Sequence, residues 1–199
     1  MPGEALKEIK KELYLMLHKS REMLELTEDA FAKNKVSPLD QAEELAREIH
    51  DKEDVLTEKL AKLASSTPEA RAIISVPAHI EKIASTIKRI QDNTRTRIKE
   101  GMLFSDKAIQ ETSTMFAKTK DVLKKAGEVA VTGAKKGVEE ITAESDAIER
   151  MVNEFTTAHE NRIITGEASP KSSTVFLCIL YAFEDMAAHI KNAVRKISV

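Results

Sequence analysis

FEDMAAHIKNAV, residues 183–194, decides the fold of this chain together with an earlier segment, HIEKIASTIKRI, residues 79–90. Both segments repeat apolar residues at the three- and four-residue spacing of an amphipathic helix. Each carries a glutamate, Glu81 in the first and Glu184 in the second, which lies beside the apolar face rather than opposite it. The same carboxylate at the same edge of two helices indicates a duplicated helical unit.

The composition favours long helices. The 199 residues include only 6 Gly and 5 Pro, and aromatic residues make up 4% of the chain. Lys plus Arg number 31 against 33 Asp plus Glu, so the net charge is close to zero. A protein that coats nucleic acid normally shows a basic excess, so we expect no nucleic-acid partner.

The sequence predicts a soluble, cytoplasmic protein. The N-terminal segment MPGEALKEIKKEL lacks the apolar core of a signal peptide. The longest apolar run, residues 175–183, is far shorter than the ~20 residues of a membrane span, so we expect no transmembrane helix. The single cysteine, Cys178, cannot form an internal disulfide, and its apolar neighbours predict a small buried hydrophobe.

Five breaks in the apolar pattern predict six helices. The predicted helices span residues 2–32, 38–65, 68–98, 105–131, 134–164 and 170–197. Ser37 is the predicted N-cap of the second helix, and Ser66 or Thr67 is the predicted N-cap of the third. Pro77 predicts a kink inside the third helix, near residues 73–77.

The simplest arrangement of these helices is an all-α fold of two tandem three-helix bundles. The segment KEGMLFSD divides the chain into two predicted repeats, residues 1–100 and residues 101–199. In each repeat a proline, Pro68 or Pro170, begins the third helix thirteen or fourteen residues before the glutamate. This near-match supports an internal duplication.

The position of the glutamates suggests a site. A carboxylate at the edge of an apolar face lines the groove where a neighbouring helix packs, and Glu53 occupies a seam position from which it could approach Glu81. Converging carboxylates repel each other unless a cation neutralises them, and hard cations and iron take oxygen ligands. The alternative is that these glutamates only form surface pairs with residues such as Lys82, Lys88 or Arg89.

The sequence shows no catalytic motif. None of the 5 His follows a Glu by three residues, as di-iron bundles require. VTGAKKG lacks the spacing of a phosphate-binding Walker loop, and Cys178 has no basic neighbour to activate it. The basic segment 86–99 has no interleaved aromatic residues and is read as a solvated face. We therefore expect a protein that is not an enzyme.

The two glutamate segments resemble the signature of the PhoU family, whose members carry two tandem three-helix bundles. That signature is an apolar residue followed by Glu, Arg, Ile, Gly or Ala, and Asp, often with Asn four residues later. The first copy here is IEKIAS, starting at Ile80, and the second is FEDMAA, starting at Phe183. The family's Asp is replaced by Ser85 and Ala188, whereas Asn192 keeps the Asn of the second copy.

The resemblance implies a metal site, because family members bind clusters of iron or zinc through the Glu and Asp together. Iron or zinc is therefore the metal that the resemblance implies. Each motif here retains one of its two carboxylates, the glutamate. The candidate ligands are Glu53, Glu81, Glu184 and His189. Glu144 and Asp146 on the fifth predicted helix are further carboxylates that could compensate for the missing Asp residues.

The resemblance also implies a function: a cytoplasmic regulator or adaptor of phosphate transport and phosphate-responsive signalling. Such a protein would dock through its helix surfaces on a phosphate transporter or a sensor histidine kinase, and would catalyse nothing. A helical-bundle interaction or structural module with no phosphate role stays open as the alternative. Association into a homodimer also stays open.

Overall fold

The computed structural model describes residues 2–197. Its helices are α1 (Pro2–Lys33), α2 (Ser37–Ala64), α3 (Pro68–Ile73), α4 (Val76–Lys99), α5 (Asp106–Thr132), α6 (Lys135–Ile164) and α7 (Pro170–Ile197). The prediction of an all-α fold with six long helices is confirmed, and these residues contain no strand. The third predicted helix is present as two pieces, α3 and α4.

The predicted kink near Pro77 is a complete break between α3 and α4. Ile74 and Ser75 separate the two helices, and Pro77 lies in the first turn of α4. A proline in the first turn loses no helical hydrogen bond, because the N–H at that position would have no partner in the helix. The chain therefore restarts its helix at the proline.

The helix starts differ in part from the predicted caps. α2 begins at Ser37 itself and no side chain caps it, so the predicted Ser37 cap is wrong. Pro38 in the first turn of α2 already removes one of the free N–H groups that a cap would satisfy. Thr67 does hold the N-cap position of α3, but its side chain forms no capping hydrogen bond. Side-chain capping occurs instead at Ser105 and Ser169, each of which accepts a bond of 3.2 Å from the backbone N–H three residues later.

The six long helices form two three-helix bundles. α1, α2 and α4 pack as the first bundle, and α5, α6 and α7 pack as the second. The bundles join along two helix pairs, α1 with α5 and α4 with α7. Buried side chains from all six long helices form one continuous hydrophobic core.

An aromatic cluster fixes the loop between the bundles. Phe104, in the loop between α4 and α5, lies with its ring centroid 5.9 Å from that of Phe31 on α1 and 5.6 Å from that of Phe176 on α7. The Arg97 guanidinium lies 4.4 Å from the Phe31 centroid and 5.0 Å from that of Phe104. Its Nη1 also donates a 3.0 Å hydrogen bond to the carbonyl oxygen of Phe31. The loop is thus held against both bundles.

α7 is the one helix within residues 2–197 that is long and apolar enough to cross a membrane, with a mean hydropathy of 1.3 in its most apolar window. The short apolar run noted in the sequence did not reveal this. However, 56% of that window is buried inside the protein, and Phe176, Phe183 and Ile190 are completely buried. The apolar character of α7 is that of a helix at the centre of a bundle.

Cys178 is exposed, so the prediction of a small buried hydrophobe is wrong. Because each helical residue turns by about 100°, Phe176 and Ile179 face the core while Cys178 and Tyr181 face outward. The apolar run that surrounds Cys178 in the sequence gives no indication of which face each residue occupies.

Candidate functional site

The first groove lies between α2 and α4, has a volume of about 530 Å³ and contains Glu81. The Oε1 atom of Glu81 accepts a 3.0 Å hydrogen bond from the Oγ of Ser85, one turn further along α4. The Nδ1 of His50 lies 3.8 Å from the same oxygen. Ser85 therefore donates to Glu81 at the position where the family pattern would place a second carboxylate.

The first groove also contains cations supplied by the chain. Arg47 of α2 and Lys88 of α4 line it together with the carboxylates Glu43 and Asp51. Positive charge within the groove reduces the repulsion among its carboxylates and weakens their attraction for a metal ion.

Glu53 is not among the residues that line the first groove. Its Oε1 accepts a 2.8 Å hydrogen bond from the Oγ1 of Thr57 on the same helix. The α2 residues that line this groove with Glu81 include His50 and Asp51. Glu53 and Glu81 therefore do not line the same groove.

A lysine bridges α6 and α7, and we call the facing surfaces of these two helices around it the second groove. The Nζ of Lys191 donates a 2.8 Å hydrogen bond to the Oδ1 of Asp146 and a 2.6 Å hydrogen bond to the Oε1 of Glu149. These two bonds raise the pKa of Lys191, and the bond from Lys191 is the main reason that the pKa of Asp146 is lowered. The ammonium and the two carboxylates thus stabilise one another in their charged forms.

Glu184 lies at the edge of this second groove and is partly buried. Burial raises the pKa of its carboxyl group, and the negative charges of Asp185 and Glu149 raise it further. No cation forms an ion pair with Glu184 in the described part of the chain. Glu184 and Glu149 are therefore close enough to repel each other.

Glu144 and Asp146 do not act together, although they are only two residues apart. Glu144 pairs with Lys125 of α5, whereas Asp146 pairs with Lys191 of α7. Residues two apart on a helix point in different directions, and here each carboxylate faces a different neighbouring helix.

His189 faces the other bundle rather than the second groove's carboxylates. Its ring centroid lies 6.1 Å from that of His79 on α4, and its Nδ1 is buried without a hydrogen-bond partner in the described residues. Burial lowers the pKa of His189, and the charge of Lys82 lowers it further. His189 is thus a neutral side chain in the contact between α4 and α7.

The side chains within residues 2–197 do not fit an iron or zinc cluster. Within this range no group of three or more His, Cys, Asp or Glu side chains is arranged to hold a metal ion. Structural zinc needs four protein ligands, and the iron sites of helical bundles need several carboxylates around the same point. Of the four candidate ligands, Glu81 and His189 are close enough for the charge of Glu81 to act on the histidine, but neither Glu53 nor Glu184 joins them in a group of three.

Two features of these sites were missed in the sequence. The first is Lys191. A signal for it was present in the sequence, because Lys88 and Lys191 each follow the motif glutamate by seven residues and therefore lie on the same face of the helix as that glutamate. The second is the buried pair of Glu111 and Arg162, which joins α5 to α6. It depends on how two distant segments align, which their spacing along the chain does not reveal.

The fold defines a class: helical proteins of two tandem three-helix bundles. Residues 13–94 match the family model of the PhoU domain. The structure of PhoU from Pseudomonas aeruginosa is similar with a TM-score of 0.87 at 12% identity, covering 99% of this chain and 97% of that one. The resemblance to the PhoU family is confirmed.

A second solved structure gives the same result. The phosphate transport system regulatory protein PhoU from Streptococcus pneumoniae is similar with a TM-score of 0.87 at 13% identity, covering 99% of this chain and 95% of that one. No curated protein matches the sequence. At these identities the solved structures establish the fold, and the match at residues 13–94 places a PhoU domain in the first bundle.

Proposed function

We propose that this protein is a cytoplasmic regulator or adaptor of phosphate transport that acts by docking its helix surfaces on a partner protein. The observation that carries this proposal is the PhoU-domain match at residues 13–94 within a chain of which 99% aligns with a solved PhoU structure. One of the similar structures is named as a phosphate transport system regulatory protein. This function requires no chemistry at the grooves.

The partner that we propose is a phosphate transporter or a sensor histidine kinase. The two repeats, residues 1–100 and 101–199, would present their helices to it as one body, because a continuous core and the Phe104 cluster join them. The charged outer faces of long helices suit docking, which needs complementary surfaces and no bound substrate. A homodimer could form in addition, since docking and self-association can use different faces.

Deletion of the gene from its host tests the phosphate role. We expect phosphate uptake, or expression from a phosphate-responsive promoter, to rise in phosphate-replete medium and to return to normal when the wild-type protein is restored. Normal uptake and normal expression in the deletion strain would instead support a helical interaction module with no phosphate role. Cross-linking in the restored strain, followed by identification of the captured membrane protein, would separate a transporter from a kinase.

A further inference from the structure

The second groove already contains a cation that belongs to the chain. The Lys191 side chain is only 16% exposed, and its Nζ lies 2.8 Å from Asp146 and 2.6 Å from Glu149. Asp146 and Glu149 are three residues apart on α6, so both carboxylates face the same neighbour, α7. The ammonium therefore joins the two helices across the groove.

The surroundings of Lys191 are strongly acidic. Glu184, two turns earlier on the same face of α7, feels the negative charge of Glu149. Asp146 also feels the positive charges of Arg150 and Arg195, but its hydrogen bond is with Lys191. Without Lys191, three carboxylates would remain along this groove with no cation bonded to any of them among the residues described.

A metal ion and the ammonium cannot share this place. A divalent ion would have to approach oxygens of these carboxylates to about 2.0–2.6 Å. The Nζ already lies at hydrogen-bond distance from one oxygen of each carboxylate, and its positive charge would repel an ion that approached the other oxygen. Lys191 therefore supplies the positive charge that Asp146 and Glu149 would otherwise take from a metal.

We propose that Lys191 is the resident cation of the second groove and occupies the position between Asp146 and Glu149 that a metal ion would need. Closure of α6 on α7 is then independent of metal. This inference concerns the groove itself and stands whether or not the protein regulates phosphate transport.

The first groove offers a matched control. Lys88 occupies the equivalent place in the first motif, seven residues after Glu81. It lines the groove, but its side chain is exposed and no ion pair involves it within residues 2–197. Removing Lys88 deletes the same chemical group from the equivalent position without breaking an ion pair to any carboxylate in the described residues.

The test is a titration of tag-free wild type, Lys191→Ala, Lys191→Arg and Lys88→Ala with Mn²⁺ and with Zn²⁺, followed by calorimetry. Wild type, Lys191→Arg and Lys88→Ala should bind neither ion stoichiometrically. Lys191→Ala should bind Mn²⁺ at least about tenfold more tightly than wild type, because the exposed carboxylates then attract a hard cation. Adding Asp146→Asn to Lys191→Ala should remove the gain.

Two results would overturn the proposal. One is stoichiometric metal in the wild-type protein that is lost in Glu184→Gln or Asp146→Asn, because the groove would then hold a metal despite Lys191. The other is a folded Lys191→Ala variant, verified by circular dichroism, that gains no affinity for Mn²⁺. If Lys191→Ala fails to fold, the unfolding temperature of the wild type tests the proposal. The same unfolding temperature with chelator and with added Mn²⁺ supports Lys191 as the cation. A rise in unfolding temperature with Mn²⁺ that Asp146→Asn abolishes refutes the proposal.

Discussion

Arg162 of α6 holds Glu111 of α5 in a bidentate ion pair that is almost fully buried, with N···O distances of 2.9 and 2.6 Å. The Nδ1 of His159 lies 3.3 Å from the Nη2 of the same arginine. Because a guanidinium has only donors, this Nδ1 accepts and the neutral ring carries its proton on Nε2. The three side chains fix the alignment of α5 and α6 inside the second bundle.

Removing one member of this pair should destabilise the protein severely. Glu111→Ala leaves the Arg162 charge buried without a partner, so we expect the free energy of unfolding to fall by about 3–5 kcal/mol. Urea denaturation followed by circular dichroism measures this. Glu58→Ala is the control, because Glu58 forms an exposed pair with Lys62 and its loss should change stability very little.

The double variant Glu111→Leu with Arg162→Met separates the cost of an unpaired charge from the value of the pair. Replacing both charges by apolar side chains should recover most of the stability that Glu111→Ala loses. A double variant as unstable as the single one would mean that the ion pair itself, and not the unpaired arginine, accounts for the stability.

Stability should fall in mild acid because of the contact between His79 and His189. Burial is the main cause that lowers the pKa of each histidine below its ordinary value of 6.5. The charges that face them are Lys82 and Lys196 around His79, and Lys82, Arg89, Asp185 and Glu81 around His189. The unfolded chain then binds protons more readily, so the stabilisation is complete above pH 6.5 and is lost as the pH falls through the lowered folded-state pKa values.

Urea denaturation at about pH 7.5 and at about pH 5 measures this effect. His189→Gln should reduce the loss of stability between the two pH values, whereas His50→Gln, at an exposed position on α2, should not. Glu184 acts in the opposite direction to the histidines, because its pKa is raised in the folded protein. Its contribution to stability is present below the ordinary pKa of 4.5 and is lost as the pH rises through the folded-state pKa. An unchanged pH dependence in His189→Gln would show that the contact does not control the acid response.

Arg97 should prove important for the junction between the bundles. Arg97→Met keeps the apolar stem but removes the bond to the carbonyl of Phe31 and the stacking on Phe31 and Phe104. We expect a loss of about 2 kcal/mol in the free energy of unfolding. Arg150→Met, at an exposed position on α6, is the control for simple loss of charge. Equal stability of the two variants would contradict a structural role for Arg97.

The proposed docking can be probed at Leu103, which is 88% exposed in the loop between the bundles, more than any other large apolar side chain that the structure describes. Leu103→Asp should leave the unfolding temperature unchanged, because the side chain packs against little in the free protein. It should weaken capture of the partner in the cross-linking experiment if this loop lies in the docking surface. Normal capture would place the docking surface elsewhere, and Leu103→Ser tests whether any loss is due to the new charge.

The helices could be predicted from the sequence because the spacing of apolar residues is a local property. The kink at Pro77 was predictable for the same reason. The direction in which Cys178 points was not, since an apolar run of nine residues covers every side of a helix. The partner of Lys191 was not predictable either: its position after Glu184 was visible, but which α6 carboxylates it meets depends on the relative shift of α6 and α7.

Site residues show the same limit. Glu81 lines the first groove and Glu184 is partly buried beside Glu149. Glu53 was expected to face the same groove as Glu81, but it does not line that groove, whereas His50 and Asp51 of the same helix do. Which side chains of a helix line a groove depends on how the two helices are rotated and aligned, which the sequence does not reveal.

The outward position of Cys178 has a practical consequence. It is the only cysteine of the chain, so a maleimide dye attached to its thiol would label the protein at one known point on α7 without any engineered substitution. Tyr181, one turn further along the same face, would lie beside the dye. The colour and polarisation of its fluorescence would then report, in solution and in real time, whether an arriving partner covers this side of the second bundle.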